Sequence, residues 1–180
     1  AKGKGVKGKA FDELEQRLPG ISNNKVKPQD PSSKQLQLVI SLYTQGQLQQ
    51  ALSHTTQMLE QFPNSTVLYN IAGASNARLK QFDAAIDSYK QALKINPNDA
   101  QAYNNMGNAL QDRGDSEAAM GSYKQALIIK PDYADAYYNM GTALNDKGEI
   151  EASIDSFKAA LKIKPDYAED YNNMGVAFND

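Results

Sequence analysis

Residues 100–133 read AQAYNNMGNALQDRGDSEAAMGSYKQALIIKPDY, and residues 134–167 read ADAYYNMGTALNDKGEIEASIDSFKAALKIKPDY. The same residue types return in the same order after 34 positions, and such self-similarity has to be weighed before any local motif. Working outward, QFPN at 61–64, INPN at 95–98, IKPD at 129–132 and IKPD at 163–166 hold Pro63, Pro97, Pro131 and Pro165, each 34 residues apart. With the proline at position 32 of a unit, the chain divides into 32–65, 66–99, 100–133 and 134–167, followed by a half-repeat from 168 to 180.

Other positions fall into the same register. Position 4 carries Tyr69, Tyr103, Tyr137 and Tyr171, and position 8 carries Gly73, Gly107, Gly141 and Gly175. Position 20 carries Ala51, Ala85, Ala119 and Ser153, position 24 carries Tyr89, Tyr123 and Phe157, and position 27 carries Ala92, Ala126 and Ala160, with Met58 in the first unit. Apolar residues recur at three- and four-residue spacing in two stretches of each unit, which predicts one helix near positions 2–14 and another near 18–31. Gly46, Gly114 and Gly148 lie between the two helices, where a left-handed residue commonly closes the first; Lys80 stands in that place in the second unit and is expected to be the weakest turn. Proline stops the second helix because it lacks an amide hydrogen and disfavours helix at the residue before it. Small residues at 8, 20 and 27 let helix backbones approach, and the rings at 4 and 24 fill the remaining space, so the tyrosines are structural before they are functional. No single helix pair can bury its apolar face, so the units must stack into an all-α solenoid with an inner and an outer wall.

Composition agrees with a folded chain: 180 residues, 41% hydrophobic and 22% charged. No apolar run approaches the roughly 20 residues of a membrane span, and the start lacks a secretory pattern, so a soluble, cytoplasmic protein without a membrane partner is expected. The absence of cysteine removes disulfides, thiolate metal sites and cysteine nucleophiles together. A net charge of -2 and a pI near 5.5 give no reason to expect nucleic acid as a partner. The charge is uneven, since residues 1–31 hold seven Lys or Arg against four acids, a net of +3 that leaves -5 for the remainder. The first ten residues, AKGKGVKGKA, have almost nothing to bury and read as a basic, solvated tail. Phe11, Leu14 and Leu18 share one face of a short helix ended by Pro19 and Gly20, and NNKVKPQDPSS reads as a linker into the domain that spans 32–180.

The set of Tyr at 4, Met-Gly at 7 and 8, Ala at 20, Tyr or Phe at 24, Ala at 27 and Pro at 32 resembles the tetratricopeptide repeat. Repeats three and four match it almost throughout, whereas the first keeps Gln35, Val39 and Leu42 at positions 4, 8 and 11 and reads as an amino-terminal cap. The resemblance covers 32–180 and implies a right-handed superhelix whose concave face, lined by the first helix of each unit, holds an extended peptide or a partner helix. Repeats three to five look most like those of the superhelix of O-linked N-acetylglucosamine transferases and related bacterial multi-repeat proteins, where an asparagine at position 6 recurs as a ladder that holds a peptide backbone. The matching residues here are Asn105, Asn139 and Asn173, with Ile71 breaking the ladder in repeat two. An amide side chain both donates and accepts, so it pairs with a peptide bond without reading sequence. Asparagine is a mediocre helix former, and a position needing solubility alone would more often carry Glu, Lys or Gln. Position 9 adds Asn108 and Thr142, position 5 adds Asn104, Tyr138 and Asn172, and position 13 adds Asp112 and Asp146 to the candidate peptide-binding set. Together with Asp135, Glu169 and Asp180 these make the carboxy-terminal half of the groove acidic, which suits a polar or weakly basic segment. A clamp for a terminal carboxylate would need Lys and Arg in the groove, where Asn, Thr and Asp stand instead.

No catalytic residue, metal site or cofactor is expected. His54 has neither a cysteine nor a second histidine to join it, the nucleotide and hydrolase motifs are missing, and Asp83 with Asp87 one turn on reads as a solvated face. Two functions remain: a protein-protein interaction scaffold, or the substrate-docking arm of a larger bacterial glycosyl-, sulfo- or methyltransferase. The sequence stops inside a repeat, so Met174, Ala177 and Phe178 are expected to support self-association.

Overall fold

The computed structural model describes residues 30–165, and the expectations that fall on the tail, the 11–18 helix and the 168–180 half-repeat lie outside them. The described chain holds α1 (Ser33–Thr44), α2 (Leu48–Gln61), α3 (Thr66–Arg78), α4 (Phe82–Ile95), α5 (Ala100–Arg113), α6 (Ser116–Ile129), α7 (Ala134–Asp146) and α8 (Ile150–Ile163). Pairs α1/α2, α3/α4, α5/α6 and α7/α8 form the four repeats of an all-α solenoid.

The helix ends have local causes. Helices α3, α5 and α7 begin at position 1 of their units and α1 at position 2, and in α3 and α5 the residue at position 34 of the preceding unit caps the start. Ser65 accepts from the Leu68 amide at 3.3 Å and Asp99 from the Ala102 amide at 3.0 Å, each satisfying one of the unpaired donors of a helix start. Ser32 and Gln35 form a reciprocal capping box on α1. Tyr133 occupies the capping position of α7 and offers no side-chain cap. The second helices stop two residues before Pro63, Pro97 and Pro131, and Phe62, Asn96 and Lys130 have already left the helical conformation, with φ of -125°, -125° and -130°.

Between the helices of each pair the chain reverses through one left-handed residue: Gly46 (φ 76°), Lys80 (φ 59°), Gly114 (φ 100°) and Gly148 (φ 78°). The residue after it donates to the carbonyl five residues back, as from Gln81 to Asn76 at 2.9 Å and from Asp115 to Leu110 at 2.8 Å. Lys80 therefore makes the same turn as the glycines, with a Cβ in a conformation that disfavours one.

Packing follows the repeat. The rings of Tyr89, Tyr123 and Phe157 lie directly on Gly73, Gly107 and Gly141 of the preceding helix; a Cβ at Gly73 would stand 2.6 Å from Tyr89 Cε1. Ala85, Ala119 and Ala92, Ala126 and Ala160 are fully buried beside them. Where the fourth repeat has Ser153 instead of alanine, its buried hydroxyl donates to the Gly141 carbonyl at 2.8 Å. Successive first helices touch one another (α1 to α3, α3 to α5, α5 to α7), whereas successive second helices do not. The first helices thus line the closer, inner wall and the second helices the outer one.

Candidate functional site

On a helix, positions 2, 6, 9 and 13 fall on one face. Three cross-repeat hydrogen bonds knit the first helices together at a constant offset of 35 residues. Arg78 donates to the Tyr43 carbonyl at 3.0 Å, Asn139 Nδ2 to Asn104 Oδ1 at 3.0 Å, and Gln111 Nε2 to Asp146 Oδ2 at 2.9 Å.

Between α5 and α7 the inner wall opens into a cleft of about 300 Å³ lined by Asn108, Gln111, Asp112, Tyr123, Asn139 and Thr142. Tyr123 belongs to α6 on the outer wall, yet its ring crosses Gly107 so that the phenol reaches this cleft. The hydroxyl lies 2.9 Å from Asn108 Oδ1 and 3.1 Å from Gln111 Oε1, two acceptors for its one proton. Burial, and then the charge of Asp112, push the Tyr123 phenol well above its ordinary value, so it stays a donor at neutral pH. The phenol faces the Asn108 oxygen, so the amide nitrogen of Asn108 keeps its donors for a ligand. Asn139 keeps its carbonyl oxygen as an acceptor, while Thr142 turns its hydroxyl back to the Tyr138 carbonyl at 3.3 Å. Asn105 and Asp112 have no hydrogen-bond or ionic partner among the described residues. The site is thus a set of preoriented donors and acceptors on a helical wall, suited to pairing with peptide groups and polar side chains.

The predicted set divides in three. Asn105, Asn108, Asp112, Asn139, Thr142 and Asp146 share the inner wall. Asn104 lies beneath it, 4% exposed with its oxygen held by Asn139, and Tyr138 is half-buried with its ring tilted against Phe157 at 5.6 Å. Asn172 and Asn173 lie outside the described residues. Two cleft residues were not anticipated: Gln111 and the Tyr123 hydroxyl. The available signal was the tyrosine at a position where the fourth repeat has Phe157, because a hydroxyl on a buried ring has to find a partner. Asp83 is exposed and binds Arg113, which also binds Asp115. Exposed His54 is on α2. Among the described residues no group of three or more His, Cys, Asp or Glu is placed to hold a metal, and no helix is long and apolar enough to cross a membrane.

The TPR repeat model matches residues 77–114, 107–145 and 141–179, and a second tetratricopeptide repeat model matches 35–65. The chain belongs to the tetratricopeptide repeat family. A tetratricopeptide repeat chain of this kind is a protein-interaction scaffold, and its partners are proteins. None of the curated proteins compared with it matches in sequence. Among solved structures, a crystal structure of MamA superposes with a TM-score of 0.69 at 23% identity, covering 89% of this chain and 88% of that one. A second MamA crystal structure gives 0.66 at 25% identity over 81% and 78% of the two chains. MamA 41-end from Desulfovibrio magneticus RS-1 gives 0.68 at 20% identity over 90% and 97%. At these identities the likeness is one of fold.

Proposed function

We propose that this tetratricopeptide repeat chain is a non-catalytic scaffold that holds an extended polypeptide along the inner wall of its first helices. The observation that carries the reading is the cleft between α5 and α7, where unengaged groups of Asn108, Asp112 and Asn139 converge on one open space. Asn105 continues the same face toward repeat two, and Asn104 acts beneath it as the residue that orients Asn139. The resemblance of repeats three to five to the O-linked N-acetylglucosamine transferase superhelix supports an amide ladder, whose next position in the sequence register is Asn173. In a longer chain the same wall would serve as the docking arm of a transferase, a reading that rests on that resemblance.

The test is a triple substitution, Asn105→Ala, Asn108→Ala and Asn139→Ala, in the full chain. Peptides selected from a displayed library on the parent protein are titrated against both. A loss of at least about tenfold in affinity, equivalent to about 1.4 kcal/mol, is expected with helicity unchanged by circular dichroism. Equal affinity for parent and variant ends the assignment.

A further inference from the structure

The inner wall changes character halfway along. At positions 2, 6 and 9, repeats three and four carry amides, a carboxylate and a hydroxyl (Gln101, Asn105, Asn108, Asp135, Asn139 and Thr142), whereas repeat two carries Val67, Ile71 and Ala74, and repeat one adds Ile40 at position 9 beside polar Ser33 and Gln37. The equivalence is structural, since position 6 of repeat four and position 9 of repeats three and four line the cleft itself. Ile40 is 46% exposed and Val67 38% exposed. Their exposure has a different cause from that of Leu38, which is at position 7. There Met106 of repeat three packs on Ala92 and Leu93 of the preceding helix, while Leu38 begins the first described repeat. The exposed Ile128, Ile150 and Ile163 belong to second helices on the outer wall. A solvated helical position has no use for Ile or Val, which are poorer helix formers than Gln or Lys and leave apolar surface in water.

Charge follows the same division. Asp112 and Asp135 form no ion pair among the described residues, where Arg113 is taken by Asp83 and Asp115 and Lys147 by Glu117 and Glu149, although Asp112 shares a cleft with Arg78 and Lys80 of repeat two. Asp146 accepts from an uncharged amide alone. In repeat two, position 13 is Arg78, whose guanidinium lies 5.0 Å from the Tyr43 ring centroid. A cationic segment is therefore favoured at repeats three and four and disfavoured at repeat two.

Building on the groove reading above, we propose that the occupant is a segment of a partner polypeptide with two-part chemistry. Apolar side chains seat on Ile40, Val67 and Ile71, and an adjoining stretch bearing Lys or Arg lies along Asp112, Asp135 and Asp146. The wall thereby discriminates against purely basic and purely apolar segments, since either leaves half of it unmatched.

Fluorescence anisotropy with four synthetic peptides of equal length tests this on the full chain: apolar then basic, basic then apolar, basic throughout, and apolar with neutral polar residues. One two-part order is expected to bind at least about tenfold more tightly than either single-character peptide. Ile71→Asn, which copies the residue of repeats three and four, is expected to remove that gain while leaving the basic peptide unchanged. Asp112→Asn with Asp135→Asn is expected to reduce the salt dependence, leaving the share of Asp146, and to spare the apolar contribution. A single-character peptide binding as tightly as both two-part peptides overturns the proposal, as does Ile71→Asn without effect. If all four peptides bind alike yet lose affinity in the Asn105, Asn108 and Asn139 variant, the groove reading stands and the two-part occupant falls; if none binds, both fall. A peptide of this chain's own residues 1–18 outcompeting all four would assign the wall to the chain itself and overturn the partner assignment.

Discussion

Two glycine-to-alanine substitutions in neighbouring repeats should have opposite signs. Gly73 and Gly121 are both inside helices, α3 and α6, where alanine is ordinarily favoured by about 1 kcal/mol because glycine loses more backbone freedom. A Cβ at Gly121 meets nothing within 4 Å, so Gly121→Ala should stabilise by about that amount. A Cβ at Gly73 would lie 2.6 Å from Tyr89 Cε1 and 2.8 Å from Cδ1 and Cζ. That is about 1 Å inside ordinary carbon contact, against a ring that is 2% exposed and backed by buried Ala85 and Ile86. Overpacking of this kind costs about 1–3 kcal/mol, so Gly73→Ala should be destabilising by up to about 2 kcal/mol after the helix gain is deducted. The two variants should differ by roughly 1–3 kcal/mol. Urea midpoints under identical conditions measure it, and they are compared as apparent values because repeats can unfold in stages. A Gly73→Ala protein as stabilised as Gly121→Ala would refute the ring-on-glycine account. A double variant with Tyr89→Leu should be less than additive, because the clash and the ring are removed together.

Lys80→Gly should raise stability by up to about 1 kcal/mol, since the turn needs a left-handed residue and glycine takes that conformation without a Cβ penalty; an unchanged urea midpoint would contradict it. Tyr133→Asp should add the cap that Asp99 supplies to α5, a gain of about 1 kcal/mol that thermal denaturation can register. Stability should fall as pH rises above the ordinary tyrosine value of about 10, because burial raises the phenols of Tyr89 and Tyr123 in the folded chain above their unfolded value. The unfolded chain loses those protons first, so their contribution is whole below that value and is lost on approaching the folded one. Alkaline titration followed by phenolate absorbance and helicity together checks this, and Tyr89→Phe should flatten the alkaline limb.

The repeat, the helix pairs and the inner wall were legible in the sequence because a 34-residue period repeats each packing decision in every unit, so that chance resemblance at one position is outvoted by the others. Helical periodicity also placed positions 6, 9 and 13 together on one face. Adjacent residues on a helix differ by about 100°, however, and which of them meets solvent depends on the neighbouring repeat. Asn104 and Asn105 are chemically identical in sequence. α7 covers the first, whose oxygen receives Asn139, and leaves the second without a partner among the described residues. The phenol of Tyr123 likewise enters the cleft because Gly107 lets its ring cross from the outer helix, a contact between residues 16 apart in sequence. Local periodicity thus determined the scaffold and the face, while the approach of separate helices decided which polar groups on that face remain free for a partner.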